Sequence, residues 1–193
     1  LLGIVFMNTD FKQLSDSELC TLVYQGGESR NAAFEVLYER HSPRVYLYCR
    51  RIMGEVTVLD DVFQETFVRF YKSLLVEREM SNVPGYLLRI ARNLCIAEKE
   101  KPHNQTVEFD ETHVLGHVSS VESDEMLSLI DMAITMLPDE FREVWVMKEN
   151  MGFSYNEIAD TLQTTMSTVR TRLYRARMMI REILAPYITD LNS

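Results

Sequence analysis

Five arginines, Arg170, Arg172, Arg175, Arg177 and Arg181, crowd the second half of the stretch SYNEIADTLQTTMSTVRTRLYRARMMIR (Ser154–Arg181), and no acidic residue follows the first of them until Glu182. A guanidinium is a planar fork of donors suited to phosphate oxygens and to the edge of guanine. Thr168, Thr171 and Tyr174 set hydroxyls among these arginines. The whole chain carries a formal net charge of −9, so a helix bearing only positive charge reverses the local sign. That reversal points to a polyanion, DNA above all. A second set is acidic and amide-bearing: Asp61, Gln64 and Glu65 fall on one helical face, with Asp60 close to it, and suit a basic partner surface. A third set, Arg89, Arg92 and Asn93, forms the polar positions of a later helix. No GxGxxG, P-loop, nucleophile elbow or zinc-ligand spacing occurs. An enzyme is therefore the least supported class, and no cofactor, metal or small-molecule substrate is expected.

The arginines need an element to aim them. Ser154 and Glu157 form a capping box that opens a short helix with Ile158, Ala159 and Leu162 inward. Gln163–Thr165 is a turn, and Thr165 is the expected N-cap of a second short helix. Val169, Leu173, Ala176 and Ile180 of that helix face a core, which leaves Arg170, Thr171, Tyr174, Arg175 and Arg177 outside. Two helices across a tight turn can set the second in a major groove, its N-terminal half at base edges and flanking arginines and hydroxyls on phosphate. A merely solvated basic helix is the alternative. The capped helix, short turn and clustered arginines together favour DNA.

Apolar residues recur at helical spacing along most of the 193 residues, and alternating strand patterns are scarce. The expected fold is all-α, as two small helical domains joined by a flexible acidic linker. Ser15–Glu18 is a first capping box, and Gly26-Gly27 ends its helix. Helices are expected over about 30–41 and again from Pro43 to Gly54. The helix of about 58–75 is strongly amphipathic: Phe63, Thr66, Phe67, Phe70 and Leu74 share one face, and Asp61, Gln64, Glu65 and Val68 another. A polar connection reaches Pro84, and a helix follows over 85–99. From Pro102 to Asp124 the chain holds five acidic residues and no Lys or Arg. We assign residues 1–14 to an N-terminal tail, 15–101 to the first domain, 102–124 to the linker and 125–193 to the second domain. Helices are expected over 125–136 and from Pro138 to about Asn150.

Three scattered cysteines fit no disulfide framework and suit a reducing cytoplasm. No segment is long and apolar enough to span a bilayer. Met7 and Leu1 are both open as the natural start.

The segment LPDEFREVWVMKENMGFSYNEIADTLQTTMSTVRTRLYRAR resembles region 4 of bacterial sigma factors, most closely those of the extracytoplasmic-function (ECF) group. Leu137-Pro138, Arg142, Gly152, Ser154, Glu157-Ile158-Ala159, Leu162, Thr168-Val169, Arg172-Leu173 and Arg175-Ala176-Arg177 stand at the matching positions. Gln163 replaces the usual turn glycine. The run LDDVFQETFVRFYKSL resembles region 2 through Asp61, Gln64, Glu65 and Phe67, and PGYLLRIARNLCIAEKEK resembles the helix that opens the −10 element. Tyr86 stands for the common tryptophan, and interleaved glutamates follow Ile96 where the family often has basic residues.

The resemblance implies an ECF-type sigma factor directing promoter recognition and transcription initiation. Its implied partners are core RNA polymerase (the β′ clamp helices and the β flap), promoter DNA and an anti-sigma factor. It implies core-polymerase binding by Asp60, Asp61, Gln64 and Glu65. Contact with the −10 element falls to Arg89, Arg92 and Asn93, aided by the loop 76–83. The −35 element falls to Thr168, Arg170, Thr171, Tyr174, Arg175 and Arg177, the last on phosphate. The implied location is the cytoplasm, with the inner membrane reached only through an anti-sigma factor. The alternative is an autonomous helix-turn-helix regulator, against which the front half lacks the βα alternation of a receiver domain. An acidic chain meets phosphate at a disadvantage, which favours a protein held on DNA by a larger partner.

Overall fold

The computed structural model describes residues 10–54, 56–77, 80–101 and 121–191, and the side chains of all of these except 121–125 and 188–191. Residues 1–9, with the candidate start at Met7, lie outside the described residues, as does 102–120 of the expected linker. Among the described residues every regular element is helical. The chain divides into two compact units, one through Ile96 and one from Ala97 onward.

In the first unit α1 (Asp16–Gln25) opens on the expected capping box: Ser15 N donates to Glu18 Oε2 at 2.8 Å and Glu18 N to Ser15 Oγ at 3.4 Å. Residues 10–14, read from sequence as tail, are tied down instead. Phe11–Gln13 form a 3₁₀ turn, and Arg40 donates to the carbonyls of Lys12 and Leu14 at 3.3 and 3.0 Å. Helix α2 runs unbroken over Ser29–Met53 and corrects the expected break at Pro43. Ala33, Leu37, His41, Val45 and Cys49 are all buried at steps of four, so one apolar row crosses the proline. Pro43 itself faces solvent, where water can satisfy the carbonyl one turn back. Buried His41 is satisfied by Asp16, its Nε2 lying 2.8 Å from Asp16 Oδ2.

Helix α3 (Leu59–Leu74) buries Leu59, Val62, Thr66, Phe67, Phe70 and Leu74. Burying a Phe or Leu side chain stabilises by about 1.5–3 kcal/mol, so this stripe fixes which way the opposite face points. Phe63 is only half-buried and joins an aromatic ladder, 5.4 Å from Tyr46 and 5.4 Å from Phe67 between ring centres. Helix α4 (Val83–Lys99) starts two residues before the sequence reading. Asn82 Oδ1 accepts the Gly85 N–H at 3.0 Å, so Pro84 lies in the first turn, where its missing N–H costs nothing.

In the second unit α5 (Val121–Thr135) begins earlier than expected, and α6 (Asp139–Trp145) ends sooner. A π-helical turn, Val146–Asn150, replaces the last turn expected of α6, with Met151 N donating to Val146 O at 3.2 Å. It buries Val146 and Met147 and lets Lys148 donate to the Phe153 carbonyl at 3.0 Å. Helix α7 (Tyr155–Leu162) and helix α8 (Met166–Leu191) complete the unit. α8 corrects the expected short helix. Its inward row Val169, Leu173, Ala176, Ile180 and Leu184 continues past the arginines. The last three of these pack on Ala133, Ile134 and Leu137.

Candidate nucleic-acid and polymerase interfaces

The turn between α7 and α8 sets the arginine face. Ser154 and Glu157 close the predicted capping box at 2.8 and 3.2 Å. The hydrogen bonds of Ser154 hold the Glu157 carboxyl below its ordinary range. α7 ends at Gln163, left-handed at φ 51° and ψ 48°, and Thr164 N reaches back to Ala159 O at 2.9 Å. This is a Schellman-type stop in which a glycine would be at ease and a glutamine is strained. Thr165 Oγ1 accepts the Thr168 N–H at 3.1 Å and so caps α8 as expected.

The six residues assigned to the −35 element meet different surroundings. Arg170, Thr171, Tyr174 and Arg175 are exposed together, Tyr174 at 66%. The Arg170 guanidinium lies 5.5 Å from the ring centre of Tyr155, and Lys148 Nζ lies 5.1 Å from it. Such cation–π stacking steadies an arginine without using its donors. Thr171 Oγ1 donates to Ser167 O at 3.1 Å. Thr168 is half-buried, its hydroxyl 2.8 Å from that of Thr165, so it supports the cap more than it presents a donor. Arg177 Nη2 donates to Glu149 Oε1 at 2.8 Å, a bond that raises the Arg177 pKa. Arg172 pairs instead with Glu140 at 2.9 Å and is only partly exposed, unlike Arg170, Thr171, Tyr174 and Arg175. Tyr155, Lys148, Glu149 and Glu140 escaped the sequence reading. Glu149 and Arg177 are 28 positions apart, and no local period links them.

On α3, Asp60, Asp61 and Gln64 are exposed and Glu65 is half-buried. The two aspartates occupy the first turn, where the helix dipole favours negative charge. Glu65 accepts from Arg69 Nε at 2.8 Å, and that bond lowers its pKa. Asp61, Gln64 and Glu65 share one face of α3 away from the buried stripe, with Asp60 beside them in the first turn.

On α4 the three polar residues differ in exposure. Asn93 is exposed, but Arg89 and Arg92 are half-buried with their Nε atoms enclosed, and both already have partners in the chain. In the loop before α4, Val76 is 79% exposed and Glu77 exposed, whereas Met80 is buried, as is Val83 at the first position of α4. Residues 78–79 of that loop lie outside the described residues.

Comparison with known proteins draws these surfaces together. The sigma-70 region 2 family matches residues 37–101, and the sigma-70 region 4 family matches residues 127–180. The ECF RNA polymerase sigma-E factor of Haemophilus influenzae is 31% identical over 189 residues, covering 91% of this chain and 98% of that protein. The chain belongs to the ECF RNA polymerase sigma factors. The ECF sigma factor SigE of Mycolicibacterium smegmatis is 28% identical, over 96% of this chain and 75% of that protein. The fold is also that of CnrH, solved in complex with the cytosolic domain of CnrY, at a TM-score of 0.67 and 23% identity over 89% of this chain and 97% of that one. As an ECF sigma factor, the protein binds core RNA polymerase and directs it to promoters. Its relatives are sigma factors, which are not enzymes. Among the described residues no helix is long and apolar enough to cross a membrane.

Proposed function

We propose a division of labour within this sigma factor, with a polymerase-docking and −10 domain at 15–101, a linker at 102–124 and a −35 domain at 125–193. Arg170, Thr171, Tyr174 and Arg175 read the −35 element, Arg177 contacts phosphate and Thr168 holds the start of the reading helix. The observation that carries this is the joint exposure of the first four on one face of α8, beyond a capped and hydrogen-bonded turn. Asp60, Asp61, Gln64 and Glu65 dock on the β′ clamp helices, and the −35 domain rests on the β flap. Asn93 faces the −10 element directly, while Arg89 and Arg92 support it from half-buried positions.

The solved relatives include a sigma factor of Bartonella quintana in complex with the anti-sigma factor NepR, 21% identical over 79% of this chain with a TM-score of 0.66. That precedent supports an anti-sigma partner here, for a protein working in the cytoplasm and reaching the inner membrane only through it. Run-off transcription with purified core polymerase and genomic fragments tests the reading. Discrete promoter-dependent products are expected, and their absence at saturating protein contradicts it.

A further inference from the structure

Two of the five α8 arginines already hold a carboxylate of their own domain, Arg172 that of Glu140 and Arg177 that of Glu149. The two pairs differ. Arg172 is the less exposed of the two, its side chain at 28%. Arg177 lies seven residues beyond Arg170, two helical turns along the same face, with its side chain 54% exposed and that of Glu149 38% exposed. The π-helical turn brings Glu149 there, while adjacent Lys148 bonds the Phe153 carbonyl and approaches Tyr155. We propose that Glu149 is an electrostatic latch on Arg177: it occupies the guanidinium that would otherwise take a DNA phosphate, and so holds down the intrinsic DNA affinity of the −35 domain. The inference rests on the −35 face assigned above and goes beyond it, since it gives a carboxylate outside the helix-turn-helix a restraining role.

The energetics permit such a latch. An ion pair between two substantially exposed side chains contributes little to stability, so exchange for a phosphate costs the fold little. A carboxylate beside the phosphate path also repels the DNA directly. Each phosphate neutralised steepens the fall of log affinity with log salt by about 0.9. Releasing Arg177 therefore adds about one such contact, and with it on the order of 3- to 10-fold in affinity at low salt.

The test uses the full chain and a fluorescein-labelled duplex of mixed sequence, about 30 base pairs long, titrated at several salt concentrations. Sequence-independent phosphate binding is the quantity read. Glu149→Gln keeps the size and an acceptor but removes the charge. It is expected to bind about 3- to 10-fold tighter, with a salt slope steeper by about 0.9. In an Arg177→Ala background the same change is expected to gain markedly less and to leave the slope alone. Equal or weaker binding by Glu149→Gln overturns the latch, as does an undiminished gain without Arg177. Arg175→Ala separates the two levels of inference. If it weakens binding while Glu149→Gln is silent, only the latch falls. If Arg175→Ala is silent too, the DNA face itself is misassigned.

Discussion

Arg175 and Arg177 stand two residues apart on one helix, yet the fold treats them differently. Arg177 is bonded to Glu149, whereas Arg175 is exposed beside Tyr174. A side chain bonding a base edge is worth about 1–3 kcal/mol of discrimination. Arg175→Ala should thus lower promoter-specific transcription about 5- to 150-fold and leave capture by core polymerase intact, as run-off assays and pull-downs can measure. Asp16 gives a second prediction at this scale. Burial would raise its pKa, but the hydrogen bond and charge of His41, followed by those of Arg40, outweigh burial and hold it below 3.8. A depressed carboxyl stabilises the fold above its ordinary pKa and loses that stabilisation as pH falls through the folded value. The first domain should therefore melt at lower temperature below about pH 4, and Asp16→Asn should flatten that loss in a thermal-melt series. Cys20, fully buried with its thiol pushed up to about 12, should resist alkylation at neutral pH until denaturant is added.

The helices were legible wherever a local signal existed. Both capping boxes and the Thr165 cap follow from residues three or four apart and form as read, and the α3 stripe forms through Thr66, Phe67, Phe70 and Leu74, with Val62 buried where Phe63 was expected. The misreadings arose where a longer row outweighed a local breaker. Pro43 suggested two helices, but the buried residues at steps of four from Ala33 to Cys49 hold α2 together. The π-helical turn had no periodic signature, since its i→i+5 bond from Met151 N to Val146 O leaves no repeat in the sequence. Gln163 stands where the sigma-factor pattern has a glycine, and its left-handed backbone gives that departure a physical meaning. Gln163→Gly should relieve roughly 0.5–1 kcal/mol of strain, net of the extra freedom of glycine when unfolded, and raise the melting temperature of the second domain by a few degrees. On α3, Gln64→Ala with Glu65→Ala should weaken capture by core polymerase at least severalfold without lowering the melting temperature, because the apolar stripe is untouched.

At the scale of the molecule, charge is the governing fact. With 29 acidic against 20 basic residues, the chain as a whole is repelled by DNA. Its basic side chains are further subdued, Arg177 by Glu149, Arg172 by Glu140 and Arg69 by Glu65. The exposed acidic turn of α3 is suited to a basic protein partner, and on the proposed reading the arginine face of α8 does not hold a promoter alone. On the proposed division of labour, polymerase supplies the affinity and spaces the two readers. The most direct measurement is the affinity of the purified chain for a cognate promoter duplex, identified by run-off transcription, with and without saturating core polymerase, each against a scrambled duplex. The account predicts weak and unselective binding by the free chain and tight, promoter-selective binding once core polymerase is present. Tight, selective binding by the free chain, or no association with core polymerase at all, would contradict it.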